Sequence, residues 1–131
     1  MTTLNQNTTG EFLDRFYSFN DAVLRKLEVS YAEGGERSAT VWIATRDAKE
    51  TTNSGWVCVR LVISQVQDFC FSDAANTTAA VFSNGVHVCW FGGIIGLDFS
   101  HFVNPPESVA ELKSSRFFAI GSSAEWIVES Y

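Results

Sequence analysis

From residue 22 onward, apolar and polar side chains alternate with a period of two. Leu27, Val29 and Tyr31 alternate with Lys26, Glu28 and Ser30, the pattern of a half-buried strand. Ala32-Glu33-Gly34-Gly35-Glu36 is a turn, its glycines free to take positive φ. Residues 38–46 form the next strand, with Ala39, Val41 and Ile43 on one face and Thr40, Trp42 and Ala44 on the other. Residues 47–55 are a polar loop. The clearest strand is 56–63, where Val57, Val59, Leu61 and Ile63 oppose Trp56, Cys58, Arg60 and Val62. Ser64-Gln65 interrupts it and residues 66–71 resume the extended pattern. Either a corner near Ser64 re-aims the chain, or 66–71 continues 56–63 as one bent element.

Residues 73–77 read as a loop. Residues 78–83 and 86–91 flank Asn84-Gly85, the commonest signal for a type I′ hairpin. Gly92-Gly93 turns the chain into a strand over 94–99. Residues 101–115 hold Pro105-Pro106 and form a long crossing loop, with one helical turn within 107–113. Two last strands, 116–120 and 125–129, meet at Gly121-Ser122-Ser123. At the other end, residues 1–8 are polar and expected to be flexible. Residues 9–16 suit a short helix capped by Thr9, with a Glu11–Arg15 pair and with Phe12 and Phe16 on one face.

About eight strands joined by short connections, with no helix long enough for a crossover, exclude a parallel sheet. The expected fold is one mainly β domain over 1–131. Its antiparallel sheet is curled or split into a sandwich or half-barrel, with a short N-terminal helix. The expected core is Leu27, Val29, Val41, Val57, Val59, Leu61, Phe69, Val88, Trp90, Leu97, Phe118 and Trp126.

Composition narrows the function. Apolar residues make up 46% and charged residues 18% of the 131, which supports a packed core and excludes global disorder. Fifteen acidic side chains against nine basic ones give a net charge of −6. Nucleic acid and anionic membrane are therefore poor partners, and a basic protein a better one. No apolar run is long enough to span a bilayer, and the N-terminus carries no secretory signal, so a cytoplasmic location is expected. The sequons at Asn7 and Asn76 then carry no meaning. Cys58, Cys70 and Cys89 are odd in number and set in apolar surroundings, as reduced core thiols are. There is no C-x-x-C or H-x-x-x-H pair, so neither metal nor cofactor is expected.

Candidate chemistry is sparse. Asp98 and His101 lie close enough in sequence for a carboxylate to orient an imidazole base. The simpler reading is Asp98 capping the next turn and His101 exposed. His87 and Cys89 share a strand face but sit too far apart for direct proton transfer. Four tryptophans, Trp42, Trp56, Trp90 and Trp126, fall in or at the ends of strands. Most such residues are cross-strand packing partners. Trp42 and Trp56 lie opposite the greasier face, where they are either a second core or a contact surface.

The segments Phe19-Asn20-Asp21-Ala22-Val23-Leu24 and Gly92 to Phe99, the latter ending in Asp98-Phe99, resemble small bacterial domains. Some of these are grouped with the immunity proteins that neutralise polymorphic toxins. The resemblance touches about fifteen positions and implies a protein-binding role. The expected function is thus a non-catalytic, acidic interaction module, of the immunity kind on that resemblance. Trp42 and Trp56 would anchor the contact, and Glu33, Glu36, Asp47, Glu50 and Asp73 would rim it. A homodimer covering a sheet edge or the Trp42 face is a further expectation. The alternatives are a β domain binding a carbohydrate or apolar metabolite, and a hydrolase using Asp98 and His101.

Overall fold

The computed structural model describes residues 1–72 and 80–130. Among them are ten strands: β1 (Thr2–Thr3), β2 (Ala22–Tyr31), β3 (Arg37–Arg46), β4 (Trp56–Ser64), β5 (Asp68–Phe71), β6 (Val81–Phe82), β7 (Val86–Phe91), β8 (Ile94–Phe99), β9 (Phe117–Gly121) and β10 (Ser123–Glu129). Two short helices, α1 (Thr9–Arg15) and α2 (Val109–Leu112), complete the fold. The strands make two separate sheets, ordered β1-β10-β4-β3-β2-β6 and β5-β9-β8-β7. Every pairing is antiparallel. The expected β class and helix are present, and the sheet is split rather than curled.

The long strands obey the alternation of their sequence. In β3 and β4, Val41 faces Leu61, Ile43 faces Val59 and Ala39 faces Ile63, and all six are fully buried. The opposing layer supplies Ile95, Leu97, Phe99, Phe117 and Ala119. Burying each large apolar side chain contributes roughly 1.5–3 kcal/mol, so this row dominates the stability of the sandwich. Of the expected core, Leu27, Phe69, Val88, Trp90 and Trp126 pack on its margin, partly buried, and Val29 is half-buried.

Two phenylalanine clusters fill the sandwich where strands diverge. Phe71, Phe82, Phe99 and Phe117 form one, with Phe117 4.9 Å from Phe71 and 5.1 Å from Phe99. Phe12, Phe16, Phe19 and Trp126 form the other, at 5.2–5.5 Å. Phe19 reaches its place through backbone strain. Tyr17, Ser18 and Phe19 all have φ between 55° and 58°, a left-handed run costly for residues with a Cβ. That run folds Phe19 back on Phe16, leaving both rings fully buried.

Among the described residues, three short corners carry the chain between sheets, and the step from β5 to β6 passes through residues outside them. Gln65, at φ 51°, separates β4 from β5, so 56–63 and 66–71 are distinct elements and not one bent strand. Ser122 separates β9 from β10. Asn84-Gly85 is the third. It does not close a hairpin: β6 pairs with β2, whereas β7 pairs with β8. Only Gly85 of the two has positive φ, 69°, so the turn is not type I′. A Cβ on Gly85 would strike the Ser18 carbonyl and the Asn20 side chain. Of the expected strand 78–83, residues 78 and 79 lie outside the described residues.

The N-terminal residues have defined places. β1 pairs with β10, and Leu4 is buried. Thr9 begins α1 but does not cap it. The side chain of Asn5 instead accepts from the amides of Asn7 and Thr8 at 2.8 and 3.0 Å.

Candidate functional site

The polar residues that looked most like chemistry point outward from β7 and β8, and the 100–115 segment covers them. Asp98 is fully buried. Its Oδ2 accepts from the Phe102 amide at 3.0 Å and its Oδ1 from the Ser115 hydroxyl at 2.6 Å. One carboxylate therefore holds both ends of the covering strap. His87 Nε2 lies 2.9 Å from the Phe102 carbonyl. Cys89 Sγ lies 3.7 Å from the Pro106 carbonyl, and burial, with Asp98 and Glu111 nearby, pushes its thiol up to about 11. At neutral pH that sulfur is a protonated thiol and a poor nucleophile. Leu112, on α2, packs over Gly96 where a Cβ would collide with it. α2 starts at Ser108, whose Oγ accepts from the Glu111 amide at 3.1 Å. This Ser-x-x-Glu start was legible in the sequence and places the helix two residues inside the expected 107–113.

His101 is exposed, edge-on to Phe102 at 4.7 Å. Asp98 makes its bonds to Phe102 and Ser115, so the pair expected of a hydrolase is not brought together. Asp98 instead caps the following turn, as its simpler reading had it.

The outer face of the six-stranded sheet is different. Across β2, β3, β4 and β10 one row runs Lys26, Trp42, Arg60, Ile127, and the row beside it on β3, β4 and β10 runs Ala44, Cys58, Glu129. Trp42, Arg60, Val62 and Ile127 are half-buried. The Lys26 ammonium sits 4.7 Å from the Trp42 ring centroid, a cation–π contact. Arg60 Nε lies 3.1 Å from Glu129 Oε1, its N–H angled away from a true hydrogen bond. A shallow groove of about 220 Å³ runs beside Trp42, lined by Lys26, Ala44 and Cys58. Burial raises the Cys58 thiol above its ordinary range, Glu129 adding to the effect.

Trp56 is on this face too, opposite Arg46. It stands four residues along the sheet from the Trp42 row, about 13 Å. The acidic residues do not form one rim around the two rings. Glu33 and Glu36 are exposed in the β2–β3 turn, at one end of β3. Asp47 and Glu50 are at its other end, about 30 Å away at strand rise. Asp47 is buried and held by Arg15 in a bidentate pair, Nε to Oδ1 and Nη2 to Oδ2, both 2.9 Å. That hydrogen bonding keeps its carboxyl below the usual carboxylate range. Arg15 thus pairs with Asp47, not with Glu11. Glu50 Oε1 accepts from the Thr51 and Thr52 amides and the Thr52 hydroxyl at 2.8–2.9 Å, which lowers its pKa and fixes the loop. Asp73 lies outside the described residues.

Arg15, held by Asp47, also walls a pocket of about 540 Å³ between α1, β1 and the loop after β3. Phe12, Trp126 and Ala48 give it an apolar floor, and Glu11, Asp14 and Lys49 stand around it. Sequence reading missed this pocket because its parts lie up to 124 positions apart, from Thr2 to Trp126. Among the described residues no group of three or more His, Cys, Asp or Glu is placed to hold a metal, and no helix is long and apolar enough to cross a membrane. No family model, no curated protein and no solved structure matches this chain.

Proposed function

We propose that this chain is a non-catalytic, acidic protein-binding module acting in the cytoplasm, and that it docks through the outer face of its six-stranded sheet. The observation that carries the reading is the composition of that face. Trp42 and Ile127 flank Arg60, Val62 follows it on the same face of β4, and Lys26, Glu28, Glu125 and Glu129 stand around them. An aromatic and an arginine at the centre with charges outside is the anatomy of protein interfaces. The net charge of −6 favours a basic partner and speeds its approach. A basic toxin domain is the partner that the resemblance to immunity proteins suggests. Asp98, His87 and Cys89 are engaged in holding the strap, which favours a binding role over a hydrolase.

The test is affinity capture with wild-type protein and Trp42→Ser as paired baits, at low and high salt. The reading expects a basic protein retained by wild type at low salt, weakened by salt and lost with Trp42→Ser. Equal retention by both baits would sink it. A second copy of the chain is the competing occupant, and light scattering showing a dimer that Trp42→Ser dissociates would favour it.

A further inference from the structure

The pocket beside α1 carries chemistry that the docking face does not use. Its floor is apolar, formed by Phe12 and Trp126, whose ring centroids lie 5.2 Å apart. Its charged groups are of both signs. Glu11 and Asp14, three residues apart on α1, are exposed and take part in no ion pair among the described residues. Lys49, across the pocket in the loop after β3, is likewise exposed and unpaired there. Arg15 gives Nε and Nη2 to Asp47, and its Nη1 is outside that pair. The Arg15 guanidinium also lies 5.4 Å from the Trp126 ring, so one pocket wall is held rigid by an ion pair and by stacking.

Such a cavity suits a molecule that carries both charges on an apolar body. A lone cation would leave Lys49 and Arg15 Nη1 unanswered, and a lone anion would meet Glu11 and Asp14. An uncharged apolar molecule would leave all of them unused. A volume of about 540 Å³ falls within the usual range for small-molecule sites, roughly 300–1,000 Å³. We infer that this pocket binds a free α-amino acid with an aromatic or large aliphatic side chain. The side chain lies on Phe12 and Trp126, the ammonium faces Glu11 and Asp14, and the carboxylate faces Lys49 and Arg15 Nη1. The inference stands apart from the docking face, since no residue is shared between them.

The experiment is calorimetric titration with three related probes: L-phenylalanine, phenethylamine with the ammonium alone, and 3-phenylpropanoate with the carboxylate alone. L-Leucine and L-tryptophan extend the series. The expected result is saturable binding of at least one amino acid, and of L-phenylalanine at least about tenfold more tightly than either single-charge analogue. Lys49→Met removes the advantage over phenethylamine. Glu11→Gln with Asp14→Asn removes the advantage over 3-phenylpropanoate. All three positions are exposed, so folding is retained, which a thermal melt verifies. Proton–nitrogen spectra place the site, with the Trp126 indole signal moving on titration. The inference is overturned if none of the three amino acids saturates by about 10 mM, or if the three phenyl probes bind alike. It is also overturned if the charge variants change nothing or the shifts centre on Trp42.

Discussion

On the outer face of the four-stranded sheet, His87, Cys89 and Asp98 meet the 100–115 strap. On the outer face of the six-stranded sheet, Trp42, Val62 and Ile127 are half-buried, and no helix or strand among the described residues is paired over them. The burial patterns record the difference. All five residues of β9 are buried, and so are five of the six in β8. β4 alternates buried and half-buried along its whole length. The covered outer face is mainly apolar, with Phe91, Ile94, Phe118 and Ile120 around Asp98, whereas the open face sets Trp42, Val62 and Ile127 among Lys26, Glu28, Arg60, Glu125 and Glu129. The strap thus covers the apolar part of its sheet, and Asp98 is buried along with it. A carboxylate such as Asp98 is compatible with burial because its two oxygens find donors, whereas an open aromatic face keeps its apolar area in water until something covers it.

The largest effect is expected from breaking the covered face. Leu112 is fully buried and fills the space over Gly96, in a small cluster with Phe118 and Ile120. Leu112→Ala should cost about 3 kcal/mol in urea unfolding, since it opens a cavity in a closed site. Val62→Ala on the open face should cost under about 1 kcal/mol. Equal losses would mean that the two faces do not differ as described.

A somewhat smaller effect is expected at Asp98. Asp98→Ala leaves the Phe102 amide and the Ser115 hydroxyl without their acceptor, costing about 2 kcal/mol. Amide exchange should quicken first at Phe102, because the strap loosens before the sheet beneath it. Uniform exchange across β8 and β9 instead would show that the strap is not a separate unit.

The Arg15–Asp47 pair probes a tie that lies outside the strap altogether. Its carboxyl is depressed in the folded chain, so its contribution is present above the ordinary Asp range and fades as pH falls through the lower folded value. Asp47→Asn should cost about 1–2 kcal/mol at pH 7. The variant should also lose stability less steeply than wild type below about pH 4. A variant whose acid limb parallels that of wild type would show that Asp47 is not the group responsible.

How much of this was legible follows the range of the interactions. β7 and β8 have the bounds that alternation assigned them, and β3, β4 and β10 differ by one or two residues, because period-two burial is a local signal. The continuous apolar run Phe117-Phe118-Ala119-Ile120 also carried local information: it marks a strand buried on both sides, and hence a covered outer face. What covers it was not legible. Pro105-Pro106 marked a loop, but the bonds from Asp98 to residues 102 and 115 join positions that no periodicity relates. Asn84-Gly85 misled for a similar reason. Its hairpin signal is local, while the pairing of β6 with β2 brings together residues about sixty apart. The open face was half legible. Trp42 and Trp56 were correctly set opposite the greasier side, but their register, and the capture of Asp47 by Arg15, depend on contacts across sheets and loops.

The smallest expected change in stability is the most discriminating for the open face. Trp42→Ser removes the Lys26 contact, worth about 0.5–1 kcal/mol at an exposed site, and a half-buried ring. The row beneath it, Val41 and Ile43 against Leu61 and Val59, points the other way and is untouched. The isolated variant should therefore unfold within about 1 kcal/mol of wild type and with an unchanged denaturant slope. A contact residue at the centre of an interface behaves differently in a complex, where its truncation commonly costs 2 kcal/mol or more, about thirtyfold in affinity. The signature of a docking face is that separation: near-neutral in the free chain and large in the bound one. A loss of about 3 kcal/mol in the isolated protein would instead make Trp42 a structural residue, and the outer face of the six-stranded sheet would join that of the four-stranded sheet as part of the core.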